Sequence, residues 1–168
     1  MQSRVLHLFL CAIFALGSDF SAAAAQSRPR GWAGEVVAVV DGDTVVVRPR
    51  RGGPPRTVRL VGLDAPERCQ AGGDAAREAL AERVLHQPVQ VQGRGKDSYG
   101  RDLARLIWQG EDLGSWLVVQ GHAWSNRWRG RTGPYDAEEI QARLARRGVF
   151  QQVWAEHPRD FRRRHGRC

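Results

Sequence analysis

Two valine-rich runs, Val36 to Val40 and Val45 to Arg48, are separated only by Asp41-Gly42-Asp43-Thr44, and nothing else in the chain restricts its fold as much. Apolar runs on either side of an Asp-Gly pair specify two antiparallel strands joined by a tight turn. The period of two in such strands sends the carboxylates of Asp41 and Asp43 to one side. Taken alone the tetrapeptide is a plain turn, because turns select these residues for backbone reasons.

A second stretch, Arg59 to Glu67 (RLVGLDAPE), runs an apolar strand into two carboxylates flanking a proline. Pro66 has no N–H and pushes the residue before it out of the helical region. Ala65 is therefore expected to be extended, with its carbonyl free to face a ligand. Asp64 then ends a strand and Glu67 lies past the bend. By itself this is also how a strand leads into a helix N-terminus, where acidic residues are favoured. If the two segments meet, Asp43, Asp64 and the Ala65 carbonyl supply three hard oxygens, which suits calcium better than zinc or copper.

The other elements follow in order. Thr57 to Leu63 reads as a strand, preceded by the basic loop RPRRGGPPR, which is either solvated or in contact with nucleic acid. Asp74 to His86 reads as a helix with its N-cap at Gly73 and Asp74, and with Ala76, Leu80 and Val84 on one face. Val89 and Val91 mark a fourth strand, and Leu103 to Trp108 a fifth. Leu113, Trp116 and Leu117 mark a second helix stopped by Gly121. Pro134 to Arg147 reads as a third, with Ile140 and Leu144 facing the core. This is an α+β pattern, mainly β, and fits a five-stranded OB-fold barrel with about three packed helices in one domain, residues 35–150. Phe150, and Trp154 in the tail 151–168, are expected to pack back on the barrel. Arg162 to Arg164 read as solvated charge, with phosphate contact as the alternative. His86, His122, His157 and His165 have no metal-ligand spacing.

Residues 1–25 carry Arg4, the apolar stretch Val5 to Leu16 and a small-residue run, the pattern of a secretory signal peptide cut after Ala25; a single-span anchor is the alternative. Residues 26–34 read as a flexible lead-in. The expected product is exported, periplasmic or extracellular, and free of the membrane. Losing Arg4 and Asp19 leaves the formal charge at +8, carried almost wholly by arginine since Lys96 is the only lysine. Such a protein is expected to meet polyanions, unless the arginines reflect only codon bias. Cys69 and Cys168 remain after cleavage. They form a disulfide, two free thiols or an intermolecular bond, and a bridge between them would pin the tail close to Glu67.

A third motif, Lys96 to Leu106 (KDSYGRDLARL), follows VDGDTV and RLVGLDAPE in that order. With all three present, the chain from Glu35 to Phe150 resembles the thermonuclease family, the calcium-dependent nucleases of the staphylococcal type. The resemblance implies Ca2+ held by Asp43, Asp64 and the Ala65 carbonyl, with Asp41 shaping the site from close by. It makes Glu67 the general base, Arg59 and Arg101 the phosphate-binding pair, and Tyr99 a nucleotide contact. It implies single-stranded DNA or RNA as substrate, products with 3′-phosphate and 5′-hydroxyl ends, and a monomer with no stable protein partner. Three features depart from the family. Ala65 replaces a threonine, the segment after Glu67 is short, and Trp124 and Trp128 stand where stacking tyrosines are expected. The competing readings are a non-catalytic OB-fold nucleic-acid-binding protein and a calcium-stabilised structural protein. Neither uses Asp43, Asp64, Glu67, Arg59 and Arg101 together.

Overall fold

The computed structural model describes residues 31–127, 130–166 and 168; the leader expected over 1–25 and Trp128 lie outside the described residues. The chain forms β1 (Gly31–Asp41), β2 (Thr44–Pro49), β3 (Arg56–Leu60) and β4 (Leu63–Asp64), then α1 (Gly73–Val84). After these come β5 (Pro88–Lys96), β6 (Asp102–Trp108), β7 (Glu111–Asp112), α2 (Leu113–Val119) and β8 (Trp124–Ser125). The chain continues through α3 (Asp136–Leu144), a 3-10 turn (Gly148–Gln151) and α4 (Pro158–His165).

The β1–β2 hairpin forms as the valine runs require, with Asp41 opposite Thr44 across the turn. β2 pairs antiparallel with β3, β1 with β5, and β5 with β6. A parallel contact between β3 and β6, Val58 beside Asp102 and Leu60 beside Ala104, closes five strands into a barrel. Alternation fills it. Val45, Val47, Val58, Leu60, Val89, Val91, Ala104 and Leu106 are buried, and between them Arg59 and Gln90 face outward. Leu80 and Val84 of α1, with Leu113 and Leu117 of α2, cap this core. The fold is thus the OB-type α+β barrel expected from the pattern, with four α-helices among the described residues rather than about three.

Several local expectations are corrected. β1 begins at Gly31, inside the stretch read as a lead-in, because Gly31 to Gly34 pair with β5. The strand expected over Thr57 to Leu63 breaks at Gly62, whose φ of 87° turns the chain off the barrel. Leu63 and Asp64 then pair with β8 instead. α1 stops at Val84, ahead of His86, since Leu85 is extended. Its N-cap is Gly72 rather than Gly73 or Asp74, with no side-chain bond. On α3, Ile140 and Leu144 are exposed and the buried residues are Glu139 and Ala142. The helix turns its acid inward because Glu139 accepts the Ser125 N–H at 2.9 Å and pairs with Arg143. Phe150 does pack inward, edge-on to Trp124, whereas Trp154 is 91% exposed. The tail read as solvated charge contains α4, which is docked against the site.

Candidate active site

Strand pairing brings the acidic segments together. Thr44 sits opposite Arg59 in the β2–β3 ladder, so Arg59, on the outer face of β3, meets the residue before Thr44. Its Nη1 donates to Asp43 Oδ1 at 2.8 Å and its Nη2 to Asp64 Oδ1 at 3.2 Å. Asp43 also accepts from Thr44 Oγ1 at 2.9 Å, and Asp41 accepts the Asp43 N–H at 3.0 Å. Gly42 makes the approach possible: a Cβ there would lie 2.8 Å from the Cβ of Ala65 and of Ala76. Ala65 is buried in that contact, and its N–H points to Asp43 Oδ2 at 3.4 Å.

Glu67 lies beyond Pro66 in a compact loop. Gln70, itself buried, accepts the Glu67 N–H at 3.2 Å, while the Gln70 N–H donates to the Glu67 carbonyl at 2.8 Å. The Gln70 side-chain amide also donates to the Glu156 carbonyl at 2.7 Å, ahead of α4. On the far side of α4, Cys168 is bonded to Cys69. The helix is therefore tied at both ends to residues 69 and 70. From it Arg162 reaches Asp64 Oδ2 at 2.7 Å, Asp64 Oδ1 at 3.1 Å and Glu67 Oε1 at 2.8 Å. Burial works against the Arg162 charge, but Asp64 and Glu67 hold it above its ordinary value.

The residues from the third motif stand apart. Arg101 Nε donates to Asp97 Oδ2 at 2.7 Å and its guanidinium lies over the Tyr99 ring. Tyr99 and Arg101 line a separate cleft of about 270 Å³ with Lys96 and Arg56. Sequence reasoning thus named Asp41, Asp43, Arg59, Asp64, Ala65 and Glu67, which the structure gathers, and Tyr99 and Arg101, whose described contacts lie elsewhere. Gln70 carries no sequence signal, and Arg162 falls within the run 162–164 read as solvated charge, with phosphate contact as the alternative; the one pointer toward the site is Cys69, two residues after Glu67.

The donors suit a hard cation. Asp43 is 3% exposed, and burial pushes its carboxyl up to about 7, against the pull of Arg59 and with a further push from Asp41. A buried acid so short of positive charge is one that a divalent ion would relieve, and an oxygen-only set favours calcium over zinc. Among the described residues no group of three His, Cys, Asp or Glu side chains is placed to hold a metal ion. Two clefts flank the acids. One of about 260 Å³ is lined by Asp41, Asp43, Arg59, Glu67 and Arg68; the other, about 450 Å³, by Arg59, Asp64, Asn126, Arg127, Arg159 and Arg162. A wider cleft of about 550 Å³ between Gly72, Trp154 and Phe161 is lined by a single acid, Glu156, and by no arginine.

Comparison with known proteins gives concordant results. A model of the staphylococcal nuclease homologue family matches residues 57–152. Protein ParB of Escherichia coli is 39% identical over 77% of this chain and 78% of its own length. The micrococcal nuclease of Shigella flexneri is 38% identical over 77% of this chain and 80% of its own. An uncharacterised endonuclease of Haemophilus influenzae is 37% identical over 54% of this chain and half of its own length.

Proposed function

The chain belongs to the staphylococcal nuclease homologue family and is a phosphodiester-hydrolysing endonuclease, and we propose that it is an exported, calcium-dependent one that leaves 3′-phosphate and 5′-hydroxyl ends on DNA or RNA. The observation that carries the calcium reading is the convergence of two buried aspartates from separate strands, Asp43 and Asp64, on one guanidinium. Asp43, Asp64 and the Ala65 carbonyl would hold the ion, with Asp41 supporting the turn. Bound there, the ion would draw charge from the phosphoryl oxygens.

The chain's own groups account for the remainder. Arg59 stands where bidentate N–H donation can hold a phosphate as charge builds on it, which a lysine would do poorly. Glu67, which lies beside Asp64 across the Arg162 guanidinium, would take the proton of the attacking water. Water oxygen bonds to phosphorus, the P–O5′ bond breaks, and the phosphate stays on the 3′ oxygen, while the departing 5′ oxygen takes up one proton, balancing the one Glu67 removes, to become a hydroxyl. Tyr99 and Arg101 line the cleft of Lys96 and Arg56, where a neighbouring nucleotide would fit. Export completes the reading, supported by the leader pattern and by the Cys69–Cys168 bond.

The test is digestion of single-stranded DNA and RNA by the leader-free protein in Ca2+, then in chelator, then in other divalent ions, with Asp43→Ala alongside. Cleavage in Ca2+ alone, lost in the variant, supports the reading; equal cleavage in chelator refutes the metal role. End chemistry is read by polymerase extension, which should fail until a phosphatase removes the 3′-phosphate. DNA binding without cleavage in any ion would instead favour an OB-fold binding protein.

A further inference from the structure

Four arginines lie along α4, yet only one faces the acids. Arg163 is exposed and pairs with Asp160, and Arg164 pairs with Glu156. Arg159 lines the outer cleft, whereas Arg162 spends its N–H groups on Asp64 and Glu67. We infer that Arg162, delivered by a helix fastened across the site, is a further phosphate-binding arginine of the nuclease, resting on Asp64 and Glu67 until cation and substrate arrive.

Three observations lead there. First, the helix is fixed. The Gln70–Glu156 bond precedes it and the Cys69–Cys168 bond follows it, so the backbone bearing Arg162 cannot swing clear, although the long side chain can rotate. A detachable plug would be built with one end free. Second, the local charge calls for a change of partner. Asp64 accepts from both Arg59 and Arg162, and a divalent ion taking its oxygens would leave two guanidiniums with donors unmet. A guanidinium has five N–H donors and no acceptor, and an anion is the partner that answers both its donors and its charge. Third, that anion has a place to lie. Arg59 and Arg162 share the wall of the 450 Å³ cleft with Arg127 and Arg159, four arginines against the two acids Asp64 and Asp160, a lining that suits a polyanionic strand passing the acids. Arg101, meanwhile, is held on Asp97, which leaves Arg162 as the second guanidinium on the acidic cluster.

The inference rests on the nuclease reading above, and the experiment separates the two. Wild type, Arg162→Ala, Arg162→Lys and the exposed control Arg163→Ala are compared for kcat and KM on a single-stranded DNA oligonucleotide in Ca2+. Binding of a non-hydrolysable analogue of the same oligonucleotide, in Ca2+, is followed by anisotropy across salt. For Arg162→Ala we expect kcat to fall about 10²-fold or more. We also expect its slope of log Kd against log salt to fall by about 0.7, the share of one phosphate on a single strand. Arg162→Lys should keep most of the slope but not the turnover, and Arg163→Ala should match wild type in kcat. Cys168→Ser tests the strap: it should lower kcat, and combined with Arg162→Ala it should lower it no further than Arg162→Ala alone. An increase in turnover on removing Arg162 would make it a plug and overturn the inference, as would an unchanged slope with unchanged kcat. A wild-type protein that cleaves nothing in any divalent ion would instead sink the function itself.

Discussion

Gly42→Ala adds one methyl group between the two halves of the acidic cluster, and its effect can be worked out from the packing. The new Cβ would lie 2.8 Å from Ala65 Cβ and 2.8 Å from Ala76 Cβ. Carbons in contact sit near 3.5–4.0 Å, so the turn has to retreat by roughly 1 Å, because neither alanine has a rotamer with which to move aside. Overpacking of this kind costs about 1–3 kcal/mol. The retreat carries Asp43 with it, away from Arg59 and Asp64, and a misplacement of about 1 Å is enough to lower turnover on the order of 10²-fold. Urea unfolding followed by tryptophan fluorescence reads the first loss, and kcat in Ca2+ reads the second. Gly42→Ala with Ala65→Gly removes one of the two contacts and should recover part of both. If Gly42→Ala cost less than about 0.5 kcal/mol, the range of an ordinary surface change, and turnover were intact, the turn would not be seated against Ala65 and the reasoning would fail.

Further perturbations probe the frame around the site. Reducing the Cys69–Cys168 bond, which spans 99 residues, should lower stability by about 2–4 kcal/mol, with an entropic ceiling near 4.7; an unchanged urea midpoint under reductant would contradict the strap. Burial opposes the charge of Asp102, but hydrogen bonds from Arg56 and Lys96 hold its carboxyl below the ordinary value of 3.8. Its stabilisation is therefore present above pH 3.8 and lost as pH falls through the folded value. Asp102→Asn should cost about 1–3 kcal/mol near neutrality and flatten that acid limb, as urea midpoints at both pH values would reveal. Glu139→Ala removes the acceptor of the Ser125 N–H and should cost about 2 kcal/mol, with faster amide exchange at Ser125; exchange as slow as wild type would exclude the bond.

Most of the barrel and the acidic half of the site were legible because both depend on short-range rules. Valine alternation and an Asp-Gly turn fix a hairpin, and Asp43, Arg59, Asp64 and Glu67 follow from two segments that the hairpin ladder places side by side. What stayed hidden depends on partners distant in sequence. The 3.6-residue period of α3 allowed Ile140 and Leu144 an inward face equally well, and only the unpaired N–H of Ser125 and the neighbouring arginines turn Glu139 inward instead. A bridge from Cys69 to Cys168 could be foreseen to hold the tail near Glu67. Which arginine it would deliver could not, because RRR at 162–164 offers three equivalent choices until α4 has a register. Gln70 gave no signal, since its value lies in joining the Glu67 loop to the Glu156 carbonyl. Nor could the sequence show that Arg101 rests on Asp97, four residues away, rather than beside the acids.

The parallel seam between β3 and β6 also imposes an order of assembly. Asp41, Asp43, Arg59, Asp64 and Glu67 come from one nearly continuous stretch of hairpin and loop, which can organise by local loop closure alone. The segment carrying Tyr99 and Arg101 joins only when β6 docks on β3, after the whole of α1 and β5 has been placed between them. Loop-closure entropy makes such distant pairing the later event. A partly folded chain would then carry its acids before its outer arginine, and native-state exchange should find the two in different cooperative units, with the hairpin opening least often.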